Sequence, residues 1–319
     1  MPKSRKRHRP KNRQRGNPLA VDRMFDRVVD DSFKVAMPEV LYHYTGWQGA
    51  EGILKSQQFW ETAHDCTNDE AELRSADAIV IEVAADLRKR FTGAAVTALN
   101  LLLDGYKRLQ VTELRTVYLS CFSIARDDSE QWRKYADSGR GVCLGVRILN
   151  EPGPKEVDRA SAIVKVDYSE ASWRANLAKN FSSICAVMQR ARDTSKNIEL
   201  GLSALYRIAA FASIQAKQEK WEVEQEYRHA TITFHEADVQ PRERISGGKT
   251  IRFLPVAVRA NGKRIALAEI IVGPNQNFEE ARQRLIRLLA DSGYSPDQME
   301  FPEIMPSTVP SWSTELAAL

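Results

Sequence analysis

The chain has 319 residues, of which 43% are apolar and 28% charged, with a formal net charge of +4. This length exceeds an ordinary domain of about 100–200 residues but lies within reach of one large α/β or α+β core. No apolar run approaches the roughly 20 residues of a membrane span, so a membrane partner is not expected.

The positive charge is concentrated at one end. Lys3, Arg5, Lys6, Arg7, Arg9, Lys11, Arg13 and Arg15 all precede the first acid, Asp22, and without them 38 basic residues face 42 acidic ones. Residues 1–20 read as a basic, disordered arm, with Pro2, Pro10 and Gly16 breaking any helix and no apolar segment following as in a signal peptide. Residues 3–15 suit a nucleic acid or another polyanion through phosphate contacts, and equally a solubilising tail with no partner. Cys66, Cys121, Cys143 and Cys185 form no CxxC pair. Their spacing indicates reduced thiols in a cytoplasmic protein and no metal site.

Beyond the arm, Val40–Tyr44 reads as a strand closed by Gly46, and Trp47–Gln57 as a short helix. Thr67 with Glu70 forms a capping-box signal. Ile79–Leu109 has helical spacing, and Thr116–Phe122 (TVYLSCF) reads as a buried strand. Asp128 and Ser129 signal the start of a helix that places Trp132 and Tyr135 at i and i+3, on one face. Strands follow at Val142–Ile148 and Ala162–Tyr168. A long helical region, Ser169–Lys220, is broken near Asp193–Asn197. Strands at Glu226–Phe234, Ile251–Val258 and Ile265–Val272 and a helix at Phe278–Ala290 complete a body spanning residues 21–300, and residues 301–319 read as an irregular tail. The whole is an α+β fold, a single domain on a mixed or antiparallel sheet with a helical insertion.

The stretch Trp221–Arg228 (WEVEQEYR) carries three alternate carboxylates. On a strand, Glu222, Glu224 and Glu226 would share one face and demand a compensating cation, a ligand or open water. At the solvated end of a long helix they would cost little.

In this order, Leu41–Thr45 (LYHYT), Asn68–Asp69 with Glu72, Cys121–Ser123 (CFS), Trp132, Tyr135, Arg140–Gly145, Lys217, Trp221, Glu224, Glu226–Arg228 and Glu269–Pro274 resemble the bacterial family called domain of unknown function 2971. Val146 departs from the Phe usual there. The family name brings no activity. A second resemblance is to the ADP-ribosyltransferase fold, which sets an Arg or His on an early strand, a Ser-containing or aromatic motif next, and a Glu, often in Glu-x-Glu, on a late strand. His43, Ser123 and Glu226 occur in that order.

This second resemblance implies an NAD-dependent ADP-ribosyltransferase or NAD-glycohydrolase, with NAD as substrate, in a setting of bacterial conflict such as phage defence. Cleaving nicotinamide from ribose develops an oxocarbenium-like charge. Glu226 is the implied carboxylate beneath the sugar, with Glu224 orienting the acceptor. His43 is implied to bond the adenosine ribose, and Ser123 to brace the glutamate or touch ribose. Tyr44, Trp132 or Tyr135 would stack on nicotinamide, and Arg140 or Arg228 would hold the pyrophosphate. The structural alternatives are a hydrogen-bonded core histidine at His43, core-facing aromatics at Trp132 and Tyr135, and Arg228 pairing with Glu224 or Glu226 in a closed network. A noncatalytic nucleic-acid or nucleotide-binding protein using the basic arm is the alternative function.

Overall fold

The computed structural model describes residues 18–32, 36–66, 75–108, 116–147, 159–191, 195–233, 240–246, 248–257, 264–295 and 301–312. The basic arm, the Thr67–Glu70 capping signal and the Asn68, Asp69 and Glu72 motif lie outside these residues.

In chain order the elements are α1 (Pro18–Ser32), β1 (Leu41–Thr45), α2 (Trp47–Ser56), β2 (Phe59–Ala63), α3 (Ser75–Arg88), α4 (Ala94–Arg108), β3 (Thr116–Ser123), α5 (Ser129–Tyr135), β4 (Val142–Val146) and β5 (Arg159–Lys165). They continue with α6 (Glu170–Arg190), α7 (Ser195–Gln215), a 3-10 turn (Glu219–Glu224), β6 (Glu226–Thr233), β7 (Arg242–Ser246), β8 (Lys249–Val256), β9 (Leu267–Val272), α8 (Phe278–Asp291) and β10 (Glu303–Pro306). The α+β expectation holds. One open, mixed sheet carries the strands, and five helices from three stretches of the chain pack together on a core of their own. No helix among the described residues is long and apolar enough to cross a membrane.

The sheet runs β10-β9-β4-β1-β3-β2-β8-β7, with β6 and then β5 added beside β3. The strand that positions the site is β3. One side of it pairs antiparallel with β6 over its whole length, from Thr116↔Thr233 to Ser123↔Glu226. The other side is divided: Tyr118 and Leu119 pair with β2, and only Ser123 pairs with β1. The sheet therefore forks between β1 and β2. Alternation along β3 and β6 sends Val117, Leu119, Ala230 and Ile232 against Ala210, Phe211 and Ile214 of α7, while Tyr118, Phe122 and Tyr227 join the core under α2 and α8. The helices α1, α3, α4, α6 and α7 share a separate core around Leu99, Phe181 and Leu205.

The glycines of the Arg140–Gly145 motif have physical reasons. Gly139, just before it, adopts φ +81°, a left-handed conformation that strains side-chain-bearing residues, and a Cβ on Gly141 would stand 2.2 Å from the Thr45 carbonyl oxygen. Three expectations are corrected. The helical stretch from Ile79 is two helices, parted near Gly93 at φ +61°. Residues 301–312 are not simply a tail, because β10 pairs parallel with β9, while Ser307 Oγ and Thr308 N bond Asp127. Residues 18–20, assigned to the arm, begin α1, whose Phe25 and Val29 enter the helical core.

Candidate functional site

At the fork of the sheet lies a cavity of about 660 Å³, lined by β1, β2, β3, α5, β7 and the segment from Lys217 to Arg228. This is the range of small-molecule sites. Of the candidates, His43, Tyr44, Ser123, Tyr135, Glu224, Glu226 and Arg228 line it; Trp132 and Arg140 do not.

The carboxylates do not share a strand face. The chain forms a 3-10 turn up to Glu224, Gln225 takes a left-handed conformation at φ 45°, and only then does β6 begin. Glu222 is left exposed, whereas Glu224 and Glu226 are buried and both meet Lys217, whose Nζ stands 2.7 Å from an oxygen of each. Lys217 is the compensating cation that the alternating acids demand. It follows α7 directly, nine residues before Glu226.

Arg228 holds Glu226 from below, donating Nε to Oε1 at 2.9 Å and Nη2 to Oε2 at 3.0 Å, while Nη1 donates to the Ile214 carbonyl near the end of α7. Burial by itself would raise the pKa of Glu226, but Arg228 and then Lys217 outweigh it and bring it down to about 2. The carboxylate is thus ionised at neutral pH. Of its four acceptor positions, Arg228 takes two and Lys217 one, and Cys121 offers a thiol toward it. Cys121 lines the cavity, and burial and the neighbouring Glu226 push its thiol well above the usual range.

Glu224 is held by a second set of groups. Tyr135 OH donates to Oε1 at 2.8 Å and Lys134 Nζ approaches it at 3.3 Å, with Lys134 also 4.5 Å above the Trp221 ring. Ser123 Oγ donates to the Glu224 carbonyl at 2.7 Å, so it braces the turn that carries the two acids. Gln131 Nε2 adds a second bond to the same carbonyl at 3.2 Å.

His43 stands in the fork, its ring against Phe59 and Phe122 at 5.3 and 5.5 Å. Burial lowers its pKa, and the Cys121 carbonyl at 2.9 Å offsets this only in part. A carbonyl only accepts, so Nδ1 carries the proton and Nε2 of the neutral ring is an acceptor.

The remaining candidates have structural duties. The Tyr44 hydroxyl donates to the Ala125 carbonyl and accepts from Asp128 N, fixing the loop before α5. Trp132 is corrected from ligand stacking to core: it is 0% exposed, packs edge-on against Tyr44 at 4.9 Å and donates Nε1 to Asp127. Tyr135, the last residue of α5, stands at i+3 from Trp132 as expected but is 42% exposed, so only Trp132 of the two is in the core. Arg140 is corrected as well, since its exposed guanidinium pairs with Asp137. His229 pairs with buried Glu61 and neither lines the cavity. Nothing in the sequence marks Lys134, Gln131 or Arg244 as a site residue. Lys217 and Trp221 were visible only as members of the family motif.

The family described as Protein of unknown function (DUF2971) matches residues 131–229, bearing out that resemblance over the segment that holds Lys134, Tyr135, Lys217, Glu224, Glu226 and Arg228. No curated protein and no solved structure matches the chain.

Proposed function

We propose that this protein consumes NAD, as an ADP-ribosyltransferase or an NAD-glycohydrolase. The observation that carries the reading is the convergence of His43, Ser123 and Glu226 from the neighbouring strands β1, β3 and β6 at one cavity of small-molecule size. In this mechanism Glu226 is a fixed acceptor for a ribose hydroxyl, which takes the position facing the weak Cys121 thiol donor. Its ionised state stabilises the oxocarbenium-like charge on the ribose as nicotinamide leaves, and Arg228 keeps it ionised and oriented. Nε2 of His43 accepts from a second hydroxyl. The exposed Tyr135 ring offers a stacking surface to nicotinamide. Glu224 is tied by Lys217, Lys134 and Tyr135, and orients the acceptor once a phosphate oxygen draws the lysines away. A cytoplasmic location, supported by four free cysteines, and a role in bacterial conflict such as phage defence belong to the same proposal.

A second reading is favoured by the pairing of both carboxylates with cations. A cavity so compensated suits a noncatalytic nucleotide-binding protein, with residues 3–15 engaging nucleic acid or another polyanion. Nicotinamide release from NAD by the wild type and by E226Q, with and without cell lysate, separates the two. Release that drops by about 10²–10³ in the variant supports NAD chemistry. No release from the wild type under either condition favours binding alone, in which case deleting residues 1–15 lowers nucleic-acid affinity and flattens its salt dependence.

A further inference from the structure

The β7–β8 hairpin also contributes to the lining of the cavity. Arg244 on β7 lies opposite Ile251 of β8, and both line the cavity together with Trp60 of β2. The guanidinium carbon stands 5.3 Å from the Trp60 ring centroid and 5.8 Å from that of Phe253, two rings that themselves pack at 5.0 Å. Its Nε is buried with no hydrogen-bond partner.

Charge makes this position distinctive. The lining holds four cations, Lys134, Lys217, Arg228 and Arg244, against the two carboxylates of Glu224 and Glu226, an excess of two positive charges. Lys134, Lys217 and Arg228 each meet a carboxylate, whereas Arg244 has no ion pair among the described residues. A half-buried guanidinium whose Nε is shut off from water without a partner is costly, and burial accordingly lowers its pKa. Stacking on aromatic rings returns part of that cost and fixes the plane of the fork. A fixed planar fork matches phosphate oxygens two at a time.

We propose that Arg244, stacked on Trp60 and Phe253, is the receptor for a diphosphate group bound in this cavity. The nature of the whole ligand rests on the NAD reading, in which this group is the pyrophosphate bridge. Arg244 then takes the role that the sequence assigned to Arg140 or Arg228, one of which faces Asp137 and the other Glu226. A cleft of this volume admits a small nucleotide rather than a duplex.

Titration calorimetry of the full chain with inorganic pyrophosphate and, separately, with NAD tests this on wild type, R244Q and R244K, with circular dichroism confirming that each is folded. The expected result is a ten- to hundredfold weaker pyrophosphate affinity in R244Q, a smaller loss in R244K, and a shallower salt dependence in R244Q. Pyrophosphate bound in an Arg244-dependent manner by a protein that ignores NAD upholds the diphosphate receptor and removes the NAD reading. Equal pyrophosphate binding by wild type and both variants, or none by wild type, overturns the proposal whatever NAD does.

Discussion

Arg228 and Glu226 form a buried pair on a single strand, two residues apart on β6, their side chains 1% and 5% exposed and joined by two hydrogen bonds of 2.9 and 3.0 Å. Such a pair specifies geometry more than it adds stability, because desolvation consumes much of the attraction. Removing one member is a different matter. Replacement of Arg228 by Met strands a charged Glu226 beside a single lysine and is expected to destabilise the protein by about 3–5 kcal/mol. The double variant R228M/E226M recovers much of that loss. Urea unfolding of R228M, E226M and the double variant checks it, and strict additivity of the single substitutions would contradict the pairing.

The same pair sets an acid limit. Glu226 has a pKa of about 2 in the folded protein and 4.5 as its ordinary value, so the folded state holds the anion more tightly than the unfolded chain does. The stabilisation is complete above about pH 5 and is lost as the pH falls from 4.5 toward 2, on the order of 3 kcal/mol in all. E226Q lacks this titration. Between pH 6 and pH 3 the unfolding free energy of the wild type is expected to fall further than that of the variant, and parallel curves would sink the assignment.

How far the sequence disclosed this site depends on which forces place each residue. The strands bearing His43 and Ser123 are legible because LYHYT and TVYLSCF are dense in β-branched and aromatic residues. The strand β7 is not, since RERIS has one apolar residue and is recruited only by pairing with β8. Glu224 and Glu226 were visible as alternate acids, but the left-handed Gln225 that turns them onto one lysine has no signature in an ordinary glutamine. Lys217 reaches them because α7 ends against β6, a tertiary fact. Stacking of Trp132 on a ligand is implied only by the resemblance to the ADP-ribosyltransferase fold; within α5 Trp132 is buried, while Tyr135 at the helix end is exposed.

Asp127 ties the C-terminal segment to the site-bearing loop. Its carboxylate accepts from Trp132 Nε1 at 2.7 Å, Ser307 Oγ at 2.7 Å, and Thr308 N and Oγ1 at 2.6 and 2.8 Å. Four donors leave no acceptor position idle, and together they hold the carboxyl below its usual pKa despite burial. D127A is expected to cost about 2–4 kcal/mol and to speed amide exchange in residues 303–309 more than in β9. Hydrogen exchange read by mass spectrometry checks the localisation, and uniform acceleration across the sheet would count against a tether.

Tyr135 offers two separable contributions, a hydroxyl bonded to Glu224 and a ring open to the cavity. If the ring stacks on nicotinamide, Y135F retains most activity, while Y135A raises KM for NAD by about threefold to tenfold, matching the 0.5–1.5 kcal/mol of an aromatic contact. Equal losses in both variants would assign the effect to the hydroxyl and its hold on Glu224 instead.

Cys121 reports on Glu226 independently of any substrate. Burial comes first among the causes that push its thiol up, and the adjacent carboxylate adds to it by opposing a second negative charge and by accepting from the thiol, while Arg228 and Lys217 act in the other direction. Replacing Glu226 by Gln removes the opposing charge and leaves both cations in place, so the thiolate becomes easier to form. At pH 8 the alkylation of Cys121 by iodoacetamide is therefore expected to be slow in the wild type and about tenfold faster in E226Q, followed by peptide mass spectrometry with Cys66 as the internal reference. A rate that is unchanged, with the variant still folded, would mean that the thiol and the carboxylate are not neighbours.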